Sequence, residues 1–237
     1  DAHDWRLLDR EPLPQGKLPT GIDKSDVYVA DVTNKQAVAE AARGCEVIIH
    51  LAGDPRPNAP WESVLRNNID GTRTVLEAAV DVGVEKVAFA SSNHAVGFYE
   101  DERKPDIYRD HDDYRLNGTE LPRPTNLYGV SKATGETLAR YYHDEHGLSV
   151  VCVRIGNLTE SHPPRNYERG QAMWLSYTDC SHLFDCCVTA DYGYEIVYGI
   201  SDNDRKYYSI ETAREVLGYE PRDNSADYHL DGTPKEE

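Results

Sequence analysis

The chain has 237 residues, of which 39% are hydrophobic, and a formal charge of −17. This length suits one domain, or one domain with a small addition, and the hydrophobic fraction is sufficient for a folded core. The charge excludes nucleic acids and anionic membranes as partners, and no apolar run or leader pattern indicates a membrane helix or a signal peptide, so we expect a cytoplasmic protein.

Strand-like and helix-like segments alternate along the first two thirds of the chain. Thr33 is positioned to cap the first of the helices. The alternation predicts an α/β fold, with a parallel sheet covered by helices on both faces. We expect strands at residues 5–9, 27–31, 46–53, 86–92 and 150–155, and helices at 34–43, 61–82 and 128–146.

Two regions depart from this alternation. Residues 93–127 are polar and proline-rich, and this segment is too long for a loop that only connects two elements. We divide the chain at Gly156 into residues 1–156 and a smaller region, residues 157–237. We expect the tail from Asp223 to be loose. The remaining predicted elements are a helix at 179–190, a strand at 194–200 and a helix at 209–217.

The composition also indicates the environment of the protein. Acids outnumber bases by 42 to 25, and only eight of the bases are lysines. Such surfaces resemble those of proteins from salt-loving archaea, where salt screens the repulsion between acids. An ordinary acidic cytosolic protein is the alternative. The five cysteines include no C-x-x-C pair, and we expect reduced thiols rather than disulfides or a zinc site.

Tyr128 and Lys132 form the clearest chemical pattern. Four residues apart on a helix, they share one face, and the lysine ammonium can lie near the phenol. A nearby positive charge lowers the pKa of a tyrosine from about 10 toward the range of a general base. The alternative is a surface tyrosine and lysine on an amphipathic helix.

Neighbouring segments favour the catalytic interpretation. Residues 50–53 and 91–94 end two predicted strands, and residues 66–72 lie on the long helix between them. Together with the Tyr–Lys pair, they resemble the extended short-chain dehydrogenase/reductase family of sugar epimerases, dehydratases and dehydrogenases, over residues 5–219. The resemblance implies a Rossmann-type doubly wound sheet, an NAD cofactor and a possible homodimer built from two long helices.

The resemblance also implies roles for individual residues. Tyr128 corresponds to the catalytic acid/base, and Lys132 to the lysine that binds the nicotinamide ribose. Ser92 corresponds to the hydroxyl that holds the substrate oxygen, a role that it shares with Asn93. The residues expected at or beside the dinucleotide are Asp31, Val32, Leu51, Ala52, Gly53, Asn68 and Ile155.

Asp9 ends the first predicted strand. In a dinucleotide fold, an acid at this position accepts hydrogen bonds from the adenosine ribose and repels the additional phosphate of NADP. We therefore expect NAD. The alternatives are a surface aspartate that caps a turn, and an Arg10 that receives the phosphate of NADP.

The expected dinucleotide unit is incomplete in this sequence. It requires a first strand and a glycine-rich turn, whose amides approach the pyrophosphate. Gly16 and Gly21 instead follow the strand that ends at Asp9, in a proline-rich loop. We expect that the sequence begins inside the unit, and that the missing strand belongs between the strands ending at Asp9 and His50. An inactive, degenerate homologue is the alternative.

Two further segments indicate the substrate. Residues 89–99 and 174–179 resemble the subgroup of uronate dehydrogenases and haloarchaeal glucose-6-phosphate dehydrogenases. This implies NAD-dependent oxidation of a sugar at its anomeric carbon to the lactone, and we expect glucose 6-phosphate as the substrate. The alternatives are a uronate and, in a different class, a nucleotide-sugar epimerase or dehydratase. The short region after Gly156 argues against a nucleotide sugar.

An acidic protein that binds an anionic sugar needs a local basic site. Arg165 and Arg169 supply one, and Arg169 resembles the arginine that holds the substrate carboxylate in uronate dehydrogenases. Arginine suits bidentate recognition of a carboxylate or phosphate. The alternative is a solvated loop whose arginines pair with acids such as Glu168. His94 can contact the sugar or serve as a structural histidine.

Overall fold

The computed structural model describes residues 3–13, 18, 21–109, 113–158, 167–229, 233 and 235. Each pair of neighbouring strands is parallel, as predicted, with one two-stranded sheet (β1-β2) and one four-stranded sheet (β3-β4-β5-β6). The parallel α/β fold expected from the sequence is therefore confirmed. The strands are β1 (Leu7–Asp9), β2 (Val27–Val29), β3 (Val47–His50), β4 (Lys86–Ser92), β5 (Ser149–Ile155) and β6 (Tyr194–Gly199).

Helices connect the successive strands from β2 onward, and α2, a π-helical segment and α3 form one continuous helix at the predicted position of the long helix. In the described part of the chain, no helix is both long and apolar enough to cross a membrane. The helices are α1 (Lys35–Ala42), α2 (Trp61–Ser63), the π segment (Val64–Asp70), α3 (Gly71–Val82), α4 (Gly97–Asp101), α5 (Leu127–His146), α6 (Glu168–Ala172), α7 (Tyr177–Thr189) and α8 (Glu211–Leu217).

Asn34, rather than Thr33, caps α1, so the predicted cap is wrong. The Asn34 Oδ1 atom accepts a hydrogen bond from the backbone N–H of Ala37 at 3.3 Å. The Thr33 hydroxyl is already engaged, since it donates to Asp31 Oδ1 at 2.6 Å. The carboxylate at the end of β2 therefore competes successfully for the Thr33 hydroxyl.

Helices, rather than strand pairing, link the two sheets. Among the described residues, no strand pairs with both β1 and β3, and the first three residues of β3 are only half-buried. One apolar cluster nevertheless spans both sheets and the helices α1 and α3. Its members include Leu8, Ile48, Val38, Val75 and Ala78. The contact between α1 and α3 thus holds β1 and β2 beside the larger sheet.

A buried polar network fixes α5 to the four-stranded sheet. Arg154 of β5 is fully buried, and its Nε and Nη2 atoms each donate to the carboxylate of Glu136 at 2.9 Å. Glu136 also accepts from the Ser91 hydroxyl at 2.6 Å, and Arg154 donates to the Tyr198 hydroxyl at 3.2 Å. The network therefore connects α5 with β4, β5 and β6.

The region after Gly156 contributes to the same sheet, because β6 pairs with β5. Buried Asp179 accepts hydrogen bonds from the backbone N–H groups of Arg222 and Asp223, at 2.9 and 3.1 Å. Buried Ser225 donates to the Gln171 carbonyl at 2.9 Å. The expectation of a loose tail from Asp223 is therefore wrong for its first residues, because Asp179 and Gln171 provide acceptors there. The division at residue 156 stays a prediction.

All five cysteines are free thiols. Cys152 lies in β5, and Cys180, Cys186 and Cys187 lie in α7. Burial raises the pKa of each of these four thiols. They are therefore poor sources of thiolate at neutral pH.

Candidate active site

Helix α5 begins at the C-terminal edge of the four-stranded sheet. Asn126 caps it, and its Oδ1 atom accepts from the backbone N–H of Gly129 at 2.8 Å. A side chain at Gly129 would overlap the carbonyl oxygen of His94, so only glycine permits this approach of helix to loop. The close approach places Tyr128 and Lys132 at the end of β4.

The structure brings together the three residues predicted to be catalytic. Ser92 ends β4 and is buried, and its hydroxyl accepts from the backbone N–H of His94 at 3.2 Å. Burial raises the pKa of Tyr128 above its ordinary value of 10, and the neighbouring Ser92 hydroxyl offsets part of this rise. The Lys132 Nζ atom lies 5.5 Å from the centre of the Tyr128 ring.

The prediction that Lys132 lowers the pKa of Tyr128 is wrong for this arrangement. Burial dominates and raises the pKa of the phenol. Burial also lowers the pKa of Lys132 to about 8, against the opposing effect of Glu136. The ammonium donates to the Ala90 carbonyl at 2.6 Å and lies near the ring, but the effect of burial on the phenol is the larger one.

The groups at this edge of the sheet fit the nicotinamide half of a dinucleotide. Among the described residues, the buried Lys132 ammonium donates to the Ala90 carbonyl alone, which leaves two N–H donors for a ribose. The segment after β3 is open, with Leu51 61% exposed and Ala52 exposed as well. Gly53 has a φ of +154°, which favours glycine and leaves the backbone accessible.

Asn68 holds the segment after β3 in place through hydrogen bonds to the backbone of Asp54. It is buried, and its Oδ1 accepts from the Asp54 N–H at 2.7 Å. Its Nδ2 donates to the Asp54 carbonyl and to the Ser131 hydroxyl, each at 3.0 Å. The amide is thus engaged by protein groups, which indicates a structural contribution beside the cofactor rather than direct contact.

The residues predicted to face the adenosine half lie at the ends of β1 and β2. Asp31 accepts from Thr33, which keeps the pKa of the carboxyl below its ordinary value, and pairs with Arg66 at 2.7 Å. Val32 packs beside α3, close to Gly71. Asp9 is exposed, and its Oδ1 accepts from a backbone N–H in the following turn at 2.9 Å.

Asn93 makes its contacts within the protein. Its Nδ2 donates to the carbonyls of Ile155 and Gly156, each at 3.0 Å, and its Oδ1 accepts from Arg169 Nη2 at 3.3 Å. Ile155 thus lies at the end of β5 beside this group. The contacts indicate that Asn93 positions Arg169, whereas its predicted contact with the substrate stays a prediction.

Arg169 pairs with Glu100, a buried carboxylate that the sequence interpretation missed. Glu100 is 4% exposed and accepts from Arg169 Nε, from Nη2 at 3.2 Å, and from the Tyr108 hydroxyl. Among the described residues, Glu100 and not Glu168 is the carboxylate paired with Arg169, so the pairing with Glu168 given as the alternative is wrong. Because Glu100 occupies the Nε–Nη2 edge, this edge is not open for the predicted bidentate contact with a substrate anion. Arg165 lies outside the described residues.

His94 lies between Tyr128 and Arg169, with its ring centre 5.8 Å from that of Tyr128. Its Nδ1 atom is 3.1 Å from Asn126 Nδ2. Since the cap at Gly129 fixes the orientation of the Asn126 amide, Nδ2 donates and Nδ1 accepts. Burial, and secondarily Arg169, lower the pKa of His94. The ring is therefore neutral at pH 7 and carries its hydrogen on Nε2.

A cavity of about 240 Å³ opens beside His94. It contains the Arg169–Glu100 pair and a second ion pair, in which Lys104 donates to Asp101 at 2.7 Å. Residues 93–127, predicted from their length to be more than a simple connection, thus supply most of its wall. The lining residues are His94, Gly97, Glu100, Asp101, Lys104, Tyr108, Thr125 and Arg169.

Comparison with known proteins shows the family of the chain and the proteins that it resembles. Residues 1–176 match the model of the NAD dependent epimerase/dehydratase family. The NAD-dependent glucose-6-phosphate dehydrogenase of Haloferax volcanii is 70% identical, covering 100% of this chain and 91% of that protein. The uronate dehydrogenase of Pseudomonas syringae pv. tomato is 35% identical, covering 94% and 74%. A mutant uronate dehydrogenase from Agrobacterium tumefaciens, solved with NAD, has a TM-score of 0.80 at 33% identity, covering 98% and 81%.

Proposed function

Since the chain belongs to the NAD dependent epimerase/dehydratase family, we propose that it oxidises glucose 6-phosphate at the anomeric carbon, with NAD as the acceptor, to 6-phosphogluconolactone. The observation that carries the proposal is the 70% identity, over the whole chain, to an NAD-dependent glucose-6-phosphate dehydrogenase. The uronate dehydrogenase relatives make a uronate the second candidate.

Tyr128 is the proposed base. As the phenolate, it takes the proton of the C1 hydroxyl, while the Ser92 hydroxyl holds that oxygen. NAD, when bound, accepts the hydride that leaves C1, and a C1 carbonyl forms. Lys132 uses its two remaining N–H donors to bind the nicotinamide ribose. His94 offers an Nε2–H donor to a sugar oxygen.

The proposed cofactor site follows the C-terminal ends of the strands. Leu51, Ala52 and Gly53 lie along the dinucleotide, and Ile155 lies beside its nicotinamide end. Asp9 accepts from the adenosine ribose, and Asp31 and Val32 lie toward the adenine. A homodimer, an anionic sugar substrate and a cytoplasmic location stay predictions.

A substrate panel tests the proposal. Initial rates of NAD reduction are measured in high salt with glucose 6-phosphate, glucuronate, arabinose and glucose. We expect the highest kcat/KM with glucose 6-phosphate. A higher value with glucuronate would transfer the assignment to uronate dehydrogenase, and NAD binding without oxidation of any sugar would indicate a binding protein.

A further inference from the structure

The cavity beside His94 contains a second cation besides Arg169. We propose that Lys104 and Arg169 together form the subsite for the sugar phosphate, and that Glu100 is the positioning residue for Arg169. The inference rests on the proposed function, from which it takes a phosphorylated sugar as the substrate. It adds Lys104 as a residue that specifies phosphate.

The hydrogen bonds of Arg169 define the side from which an anion can approach. Glu100 accepts from Nε and Nη2, and Asn93 accepts the remaining contact of Nη2. Among the described residues, none accepts a hydrogen bond from Nη1 of Arg169. The guanidinium is therefore fixed by two partners and offers the two N–H donors of Nη1 to the cavity that it lines.

Charge explains why Arg169 alone is a weak phosphate site. Its positive charge is balanced by the buried carboxylate of Glu100, so the pair as a whole is neutral. A sugar phosphate carries up to two negative charges near neutral pH, whereas a uronate carries one. A second cation in the same cavity is required to match the additional charge.

Lys104 supplies a second cation, whose charge becomes available to the phosphate when its exposed pair with Asp101 opens. It lines the cavity with Arg169 and follows α4, the helix that carries Glu100. Asp101 chiefly raises the pKa of Lys104, with smaller effects from Glu100 and Arg169, as expected for charges grouped around one space. The ammonium is thus protonated at neutral pH, and lysine serves as a point charge for phosphate.

The partner of Lys104 can be exchanged for a phosphate. The side chains of Lys104 and Asp101 are 54% and 39% exposed, and exposed pairs of this kind contribute little stability. Lys104 can therefore turn from Asp101 to a phosphate oxygen at small cost. By contrast, Glu100 is buried and bound by both Arg169 and Tyr108, so it stays in place as a support.

Kinetics of charge variants test the subsite. Lys104→Met should raise the KM for glucose 6-phosphate on the order of tenfold, while kcat for this substrate and kcat/KM for glucose stay near the wild-type values. Lys104→Arg should restore most of the affinity. Lys35→Met, at an exposed pair on α1, removes the same charge elsewhere and should leave all constants unchanged. Equal KM values for wild type and Lys104→Met would overturn the proposal.

The support of Arg169 is tested separately. Glu100→Gln should raise the KM for glucose 6-phosphate several-fold, with kcat/KM for glucose unchanged, because the guanidinium loses its carboxylate partner. An unchanged or lower KM would overturn the positioning role. Thermal unfolding shows whether the variant is folded, and Tyr108→Phe, which removes one hydrogen bond to Glu100, should change KM in the same direction by a smaller factor.

Titration with inorganic phosphate, followed by ³¹P NMR, separates this inference from the proposed function. The wild-type protein should bind phosphate, and Lys104→Met should bind it on the order of tenfold more weakly. If phosphate binding depends on Lys104 but glucose 6-phosphate is not oxidised, the function fails and the subsite stands. If glucose 6-phosphate is oxidised while phosphate binding is the same in both proteins, the subsite fails and the function stands.

Discussion

Tyr128 is half-buried beside Ser92, and burial raises the pKa of its phenol above 10. At neutral pH only a small fraction of such a phenol is ionised. The Lys132 ammonium, with a pKa of about 8, carries most of its charge at this pH but is held by the Ala90 carbonyl. The rate of proton abstraction should therefore increase as the pH rises.

Tyr128→Phe removes only the proton acceptor. We expect kcat for glucose 6-phosphate to fall by about two orders of magnitude or more, and the rise of kcat/KM between about pH 6 and about pH 7.5, where Lys132 is mainly charged, to disappear. NAD affinity, measured by calorimetry, should change little. A variant with wild-type turnover and pH dependence would show that another group accepts the proton.

Asp9 determines the expected preference for NAD. Its carboxylate is exposed at the end of β1, and Arg10 beside it is also exposed. We expect the carboxylate to repel the 2′-phosphate of NADP. Asp9→Ala should reduce the ratio of kcat/KM for NAD to that for NADP, and Asp23→Ala, at another exposed acid, should leave it unchanged. A wild-type preference for NADP would instead favour Arg10 as the determinant.

At the scale of elements, periodicity was sufficient to place the strands, the long helices and the Tyr–Lys pair on α5. Periodicity could not predict the pairing of Glu100 with Arg169, because the two residues lie 69 positions apart in the chain, on the separate short helices α4 and α6. One local signal was available for the α5 terminus, since Asn126 lies directly before the helix and is a preferred capping residue. For α1, adjacent Thr33 and Asn34 are both capping residues, and only the contact with Asp31 distinguishes them.

Helix α5 depends on the buried contact between Glu136 and Arg154. Glu136→Gln removes the carboxylate that accepts two hydrogen bonds from the fully buried Arg154, which keeps a longer carboxylate contact with Glu120 at 3.6 Å. The variant should therefore reduce the free energy of unfolding by about 3–5 kcal/mol. Asp144→Asn, which breaks an exposed pair with Arg140 on the same helix, should cost less than about 1 kcal/mol. Denaturant unfolding in high salt measures both values. If Glu136→Gln reduced the free energy of unfolding as little as Asp144→Asn does, the buried network of Glu136 and Arg154 would contribute little to stability.

For the molecule as a whole, the charge of −17 opposes the folded state. Increasing salt shortens the Debye length from about 10 Å at 0.1 M to about 3 Å at 1 M, and thus screens the repulsion between acids. We therefore expect Tm to rise steeply with KCl over this range. Differential scanning calorimetry at several KCl concentrations tests this, and a constant Tm would favour an ordinary acidic cytosolic protein.

The buried thiols of β5 and α7 allow local and global unfolding of the protein to be measured by thiol labelling. Alkylating reagents react with thiolates, and the raised pKa values of Cys152, Cys186 and Cys187 suppress these in the folded state. Labelling at these positions therefore requires local or global exposure of the C-terminal half. The rate of alkylation at different salt concentrations consequently measures how often β5 and α7 separate from the rest of the molecule.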